Sequence, residues 1–225
     1  STGEAQDSVA VELAEQFVAY FERGEVKNAV NTPAMDKEGF ARLSPWLDLA
    51  RRLGSLVGQL HPPDAGIDEI SIELVGEVAD GGQRPVRQAA LCGLLRTFLD
   101  VPVNEINAAL IAAERGWRVV ETQRRQGLTY ASSIAIGTRG QAGGRSVKGT
   151  IFRMGDRHDA RIVQIDQFTV DAAPEGRILF IRNADKPGVV GAVGTLLGKR
   201  GINVGSLHVG HDRPNEHAVM LWNID

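Results

Sequence analysis

Cysteine is almost absent. Cys92 is the single thiol in 225 residues, so no disulfide can form within the chain. Its surroundings, AALCGLL, place no charged or histidine side chain beside it to lower its pKa, and it reads as a buried core thiol rather than a nucleophile. Long apolar runs are absent as well. None approaches the roughly 20 residues of a membrane-spanning helix, and no signal-peptide pattern opens the sequence. A cytoplasmic protein with no membrane partner is expected. Excess charge of one sign is also lacking: 25 basic residues stand against 28 acidic ones, a formal net charge of −3, which leaves no electrostatic footprint for nucleic acid. No strand pattern leads into G-x-G-x-x-G, so no dinucleotide-binding turn is expected. GGRSVKGT carries its Lys ahead of its Gly, the reverse of a phosphate loop. His208 and His211 stand three apart in a strand pattern and point to opposite faces; with His217 they read as surface residues, and no metal site is expected.

What the chain does have is patterned glycine near its C-terminal end. Residues 177–210, RILFIRNADKPGVVGAVGTLLGKRGINVGSLHVG, read as strand, turn, glycine-rich helix, break and strand. Ile178, Leu179, Phe180 and Ile181 form an apolar run suited to a strand buried on both faces. Pro187, with preset φ and no N–H, suits the first helical position and leaves Asp185 near the N-cap. Val189, Val193, Leu196 and Leu197 recur at helical spacing. Gly188, Gly191, Gly194 and Gly198 each cost a helix interior about 0.5–1 kcal/mol relative to Ala, which suggests close approach of another backbone, from the sheet or from a second subunit. Gly201 is placed to end the helix in a left-handed cap, and Asn203 opens the next strand. An acidic side chain beside helix N–H groups with no internal partner is a setting suited to a small zwitterion.

Three segments separate by pattern. Residues 1–31 open with a helix capped by Ser1 or Thr2, with Glu4 in its first turn and Val9, Leu13, Phe17 and Tyr20 at helical spacing. One helix and the tail EVKNAVN cannot enclose a core, so this segment reads as the remnant of a larger domain. Residues 32–173 carry a helix at 46–60 with Trp46, Leu49, Leu53, Leu56, Val57 and Leu60 on one face, stopped by Pro62 and Pro63. An alternating strand follows in ISIELVGEV, then helices at about 85–99 and 104–115, with Asn104 as a cap. The stretches WRVVETQRR, LTYASSIAIGTR, RSVKGTIFR and ARIVQIDQFTV read as strands. Residues 174–225 follow a hinge, AAPEG, and supply β, α, β and a last strand at about 216–224. The fold class expected is α+β: an α/β-layer domain with a largely antiparallel sheet, followed by a truncated ferredoxin-like βαββ unit. A full ferredoxin-like module carries a further helix and strand, so the unit reads as C-terminally incomplete.

The order of residues in 177–210 resembles an ACT domain, a regulatory module that binds amino acids between paired copies. The whole chain resembles the C-terminal half of a long-type D-3-phosphoglycerate dehydrogenase. STGEAQDSVAVELAEQ looks like the helix returning into that enzyme's substrate domain, NAVNTPAM like the exit from it, SPWLDLARRLGSLVGQL like the start of the intervening domain, and VKGTIF like part of its end. The resemblance implies an enzyme that oxidises 3-phosphoglycerate with NAD in the first step of L-serine biosynthesis. It places the catalytic His ahead of Ser1, so no catalytic residue and no NAD site are expected in this chain. It implies L-serine or a similar amino acid as ligand and a homo-oligomer, dimer or tetramer, as the assembly.

The effector residues implied are Asn183, Asp185, Pro187, Gly188 and Asn203. Each has a plainer rival. Asp185 either caps its helix or binds an α-ammonium, and Asn203 either eases the turn after Gly201 or reaches a ligand across a subunit interface. Asn183 stands where serine-regulated relatives often carry His or Tyr, and Lys186 reads as a solvated charge. Arg124, Arg125, Arg139, Arg145, Lys148 and Arg153 form a basic group on the second segment's strands. Most are solvated on this reading; Arg124, Arg139, Arg145 and Lys148 are the candidates for binding an anion, as the family's intervening domain can. Two other functions stay open: an ACT-type sensor serving another partner, and a purely structural assembly domain.

Overall fold

The computed structural model describes residues 3–23, 37–141, 143–155, 157–212 and 216–225. The chain divides into two compact units at Ser44/Pro45. In the first, α1 (Gly3–Arg23) is the helix expected from the Val9/Leu13 spacing, with Val9 65% and Leu13 51% exposed. The proposed cap at Ser1 or Thr2 and the segment Glu25–Asn31 lie outside the described residues.

The second helix is longer than its expected 46–60. α2 spans Lys37–Leu60 with Pro45 inside it. Proline removes one backbone donor and tends to kink a helix it enters, but Lys37, Glu38, Ala41, Arg42 and Leu43 before it are good helix formers. Within the second unit Trp46, Leu49, Ala50, Leu53 and Val57 are buried. They cover one face of a six-stranded sheet, where the Cβ position of Gly149 lies 2.9 Å from Leu53 Cδ1 and 3.1 Å from Leu49 Cδ1. α3 (Gln83–Leu95) packs on α2 at backbone distance: a Cβ on Gly54 would meet the Ala90 carbonyl oxygen at 2.1 Å, and one on Gly93 the Arg51 carbonyl oxygen at 2.0 Å. α4 (Ala108–Glu114) starts later than expected, because the Asn104 side chain caps the turn ahead of it by accepting Ile106 N and Asn107 N at 2.9 and 3.0 Å.

The sheet runs β2 (Arg118–Arg124), β1 (Glu69–Val75), β3 (Ser133–Gly140), β4 (Gly143–Met154), β5 (Arg157–Ile165), β6 (Phe168–Ala172). Only β1 and β2 pair in parallel; the helices between them form the crossover. Ile70, Ile72 and Leu74 face the helices and are buried, while Ser71 on the opposite face is exposed. The chain leaves β1 in a 3-10 turn at Gly76–Ala79 instead of continuing as strand.

A second sheet, in the order β7 (Arg177–Ala184), β9 (His217–Ile224), β8 (Val204–His211), is antiparallel throughout. Its helix α5 (Val189–Lys199) covers one face through Val189, Val193 and Leu197, against Leu179, Ile181, Met220 and Trp222. Fold class and largely antiparallel pairing are therefore as expected. Three details differ. β7 is an edge strand with half-buried residues at 178–181, and the strand buried on both faces is β9, whose Ala218–Trp222 are at most 3% exposed. Leu196 points away from the core at 57% exposure. A Cβ on Gly191 or Gly198 would meet nothing within 4 Å, and one on Gly194 would only touch the Trp222 ring at 3.8 Å, so among the described residues no backbone outside α5 approaches those glycines.

The second sheet's other face lies on β6. The Cβ position of Gly210 is 2.5 Å from the Thr169 carbonyl oxygen, and the Arg182 guanidinium lies 5.9 Å from the Phe168 ring centroid. The connector AAPEG, read as a hinge, is tied down by three carbonyls. Asn223 Nδ2 donates to Ala173 O and Glu175 O at 3.1 and 3.0 Å, and Arg52 donates to Pro174 O at 2.7 Å. Gly176 takes φ +63, a conformation open to glycine.

Candidate functional site at the start of helix α5

The strand β7 ends at Ala184 and the chain turns through Asp185, Lys186 and Pro187 into α5. Gly188 is the N-cap, in the left-handed region at φ 91, and the first helical residue is Val189. Pro187 therefore precedes the cap rather than opening the helix. Only glycine crosses that region at no steric cost, and this one residue displaces the helix start from where proline chemistry points. Asp185 does not cap. No side chain bonds at the Gly188 cap; instead Asp185 Oδ2 lies 2.8 Å from His211 Nδ1. The N–H of Asp185 donates to Glu216 O at 3.0 Å, which binds the turn to the β8–β9 connection.

Strand register explains why His211 is there. Asn183 on β7 and His211 on β8 both pair with Ala218 on the central strand β9. The three form one row, in phase with Leu179, Ile181, Met220, Trp222 and Leu207 on the face that α5 covers. Adjacent strands are about 4.7–4.9 Å apart, so the two outer members of the row stand about 10 Å from each other. Asn183 Nδ2 donates to Ala184 O at 2.6 Å, while its Oδ1 is buried without a partner. A carboxylate, an imidazole, an unpaired amide oxygen and the free N–H groups of a helix start thus converge on one small region. Such a set complements both ends of an α-amino acid.

Asn203 does not join them within one chain. It precedes β8, where Val204, Ile224 and Arg177 form the row at the opposite end of the sheet. Six residues of strand separate the two rows, about 20 Å. Asn203 Nδ2 donates to Asp225 Oδ2 at 2.8 Å.

The basic group on the large sheet is divided. Register places Arg124, Arg139 and Lys148 on the face away from α2, and Arg145 on the other. Arg124 bonds Glu73 at 2.9 Å and Arg139 bonds Glu69 at 2.9 Å. Arg145 donates to Leu60 O at 3.1 Å and pairs with Asp166 at 2.9 Å. The candidates thus form no unopposed cationic cluster, because Arg124, Arg139 and Arg145 are each matched by a carboxylate, of Glu73, Glu69 and Asp166 in turn. Arg139 and Arg145 nevertheless both line one open groove of about 500 Å³, together with Glu69, Ser71, Ser146 and Asp166. Cys92 is fully buried, with Sγ 3.6 Å from Val103 O; burial first, and the nearby Glu105 carboxylate second, hold the thiol above its ordinary pKa, as fits a core residue.

Sequence reasoning missed His211 as a site residue. Taken alone it is a histidine near a strand end, and only the pairing of both outer strands with Ala218 brings it to Asp185. Among the described residues no cluster of metal-ligating side chains occurs, and no helix is long and apolar enough to cross a membrane.

Comparison with known proteins agrees with this architecture. Residues 42–166 match the family model described as the D-3-phosphoglycerate dehydrogenase intervening domain, and residues 177–221 match the ACT domain. The chain is 36% identical over its full length to a D-3-phosphoglycerate dehydrogenase of Synechocystis sp., covering 40% of that protein. It is 32% identical to one from Bacillus subtilis, covering 42% of it, and 31% identical to the chloroplastic D-3-phosphoglycerate dehydrogenase 2 of Arabidopsis thaliana, covering 38%. The chain spans well under half the length of these relatives. It belongs to the family of the D-3-phosphoglycerate dehydrogenase intervening domain, followed by an ACT domain.

Proposed function

We propose, from that membership, that the chain is the regulatory and assembly half of a D-3-phosphoglycerate dehydrogenase, a cytoplasmic enzyme that oxidises 3-phosphoglycerate with NAD toward L-serine. Residues 1–31 would close the substrate domain, 32–173 form the intervening domain, and 174–225 bind a small amino acid, L-serine first among the candidates. The residues present do not fit NAD: the strand-to-helix turn at β7–α5 carries glycines three apart behind Pro187, and no two glycines of the sequence stand two apart as a pyrophosphate turn requires. The dinucleotide and the oxidation belong to the remainder of the parent enzyme.

The observation that carries the amino-acid reading is the convergence of Asn183, Asp185 and the start of α5 at one end of an ACT-type sheet. The ligand's ammonium would meet the Asp185 carboxylate, and its carboxylate the helix N–H groups. Asn203 stands too far away to serve the same protomer's site, so a second copy would have to supply it, in a symmetric pair. That arrangement has a direct test. Asp185→Ala and Asn203→Ala should each abolish L-serine binding in calorimetry with the circular-dichroism spectrum unchanged. Mixed in equal amounts and allowed to exchange, the two variants should regain it at about a quarter of all sites, because half of the pairs are hybrids and each hybrid holds one site built from two unaltered halves. Equal binding by Asp185→Ala and the native chain would refute the site, and absence of recovery on mixing would refute the shared interface.

A further inference from the structure

The row Asn183–Ala218–His211 gives His211 a position that the amino-acid reading leaves unused, and any part His211 takes in binding rests on that reading. The imidazole holds Asp185 by Oδ2, at 2.8 Å from Nδ1. An exposed acid–histidine pair elsewhere on a surface contributes little. This one engages the carboxylate to which the ligand's ammonium is assigned. A carboxylate has about four lone-pair sites on two oxygens, so the bond to Oδ2 fixes the group's orientation and leaves Oδ1 to accept from a second donor.

We propose that His211 is a positioning residue of the amino-acid site and couples ligand affinity to pH. With a neutral imidazole, Nδ1–H donates to Asp185 and the carboxylate keeps its full charge for the ammonium. With a protonated imidazole, a unit positive charge cancels that carboxylate and stands beside the incoming ammonium. Imidazole side chains change charge between about pH 5 and 8, so affinity falls as pH falls through that range, and binding near its midpoint releases a proton. Among the described residues, the other charged groups of these two connections are Lys186 in the turn and Asp212, Glu216 and His217 between β8 and β9; Arg213 lies outside the described residues. His217 has a carboxylate of its own: Asp212 accepts from the His217 N–H at 2.9 Å and meets its Nδ1 at 3.1 Å. The first turn of α5 holds no acidic residue. Among the described residues, His211 is thus the histidine that faces Asp185.

Calorimetric titration of L-serine at pH 5.5 and pH 8 into the full chain and two variants tests this. His211→Asn keeps an N–H donor near the Nδ1 position and cannot titrate; His211→Ala removes the donor. His211 is 46% exposed at its side chain, so both variants should fold, which circular dichroism checks. The native chain should bind about tenfold more weakly at pH 5.5, as expected for one unit charge placed a few ångströms from the ammonium at a half-exposed site. At an intermediate pH its heat should vary with the buffer's ionisation enthalpy. His211→Asn should bind equally at both pH values, and His211→Ala should bind more weakly than the native chain at pH 8. The same pH dependence in His211→Asn as in the native chain, or undiminished binding by His211→Ala at pH 8, overturns the role of His211 while leaving the amino-acid site standing. No binding by any form at either pH overturns the site itself and this role with it.

Discussion

Replacing Gly54 by alanine puts a methyl where α2 and α3 leave no room. The new Cβ would lie 2.1 Å from the Ala90 carbonyl oxygen and 3.1 Å from Leu94 N. Both obstacles are backbone, which cannot rotate away as a flexible side chain does. Overpacking of this kind costs about 1–3 kcal/mol, and with rigid obstacles the upper half of that range applies. Alanine's better helix propensity returns about 0.5–1 kcal/mol. The net expectation is a loss of about 1–2.5 kcal/mol, or about 2–10 °C in Tm for a domain of this size. Gly194→Ala in α5 supplies the control. It brings the same gain in propensity, and its methyl would rest 3.8 Å from the Trp222 ring in ordinary contact. That variant should melt about 1–4 °C higher. Thermal melts followed by circular dichroism at matched concentration read both. Gly54→Ala melting at or above the native chain would refute the close-packed helix pair. A loss in Gly194→Ala that grows with protein concentration would instead put a second copy against α5.

Two further variants probe other parts of the frame. Burial raises the Glu105 carboxyl, but the Arg51 guanidinium at 2.8 Å, a backbone hydrogen bond and the Arg96 charge together outweigh it and leave the group below its ordinary pKa. A depressed folded value contributes stability that is present above the ordinary carboxylate range and lost as pH falls through the folded value. Glu105→Gln should therefore cost about 0.2–1 kcal/mol at neutral pH and progressively less in acid; urea midpoints at pH 7 and pH 3 check this, and an equal loss at both would contradict it. Gly176→Pro cannot act as a simple stiffening of the connector, because proline holds φ near about −65° where this glycine sits at +63. It should destabilise the junction between the two sheets by more than about 1 kcal/mol, and an unchanged urea midpoint would show that the connector is freer than its hydrogen bonds to Arg52 and Asn223 imply.

Local signals carried much of this protein. The Leu49–Leu53–Val57 stripe, the alternation in β1 and the left-handed stop at Gly201, φ 70, each depend on residues within one or two turns of one another, and each stands where the sequence places it. Local signals also misled where one residue had two uses. Pro45 can open a helix or sit inside one, and Pro187 was displaced from its expected helical position by the special φ of its neighbour Gly188.

The sequence by itself determined the types and order of the elements, and through them the mixed α+β class. Tertiary structure alone decided which side chains meet. His211 reaches Asp185 because β7 and β8 both pair with β9 in a register that aligns Asn183, Ala218 and His211. Arg145 reaches Leu60 O and Asp166 while Arg139 reaches Glu69, because neighbouring strand positions face opposite ways. Side chains alternate along a strand with a period of two, so a slip of one residue in pairing would send every one of these groups to the other face. That register is set by contacts distant along the chain, between strands and against the helices that cover them, and no window of local sequence contains it.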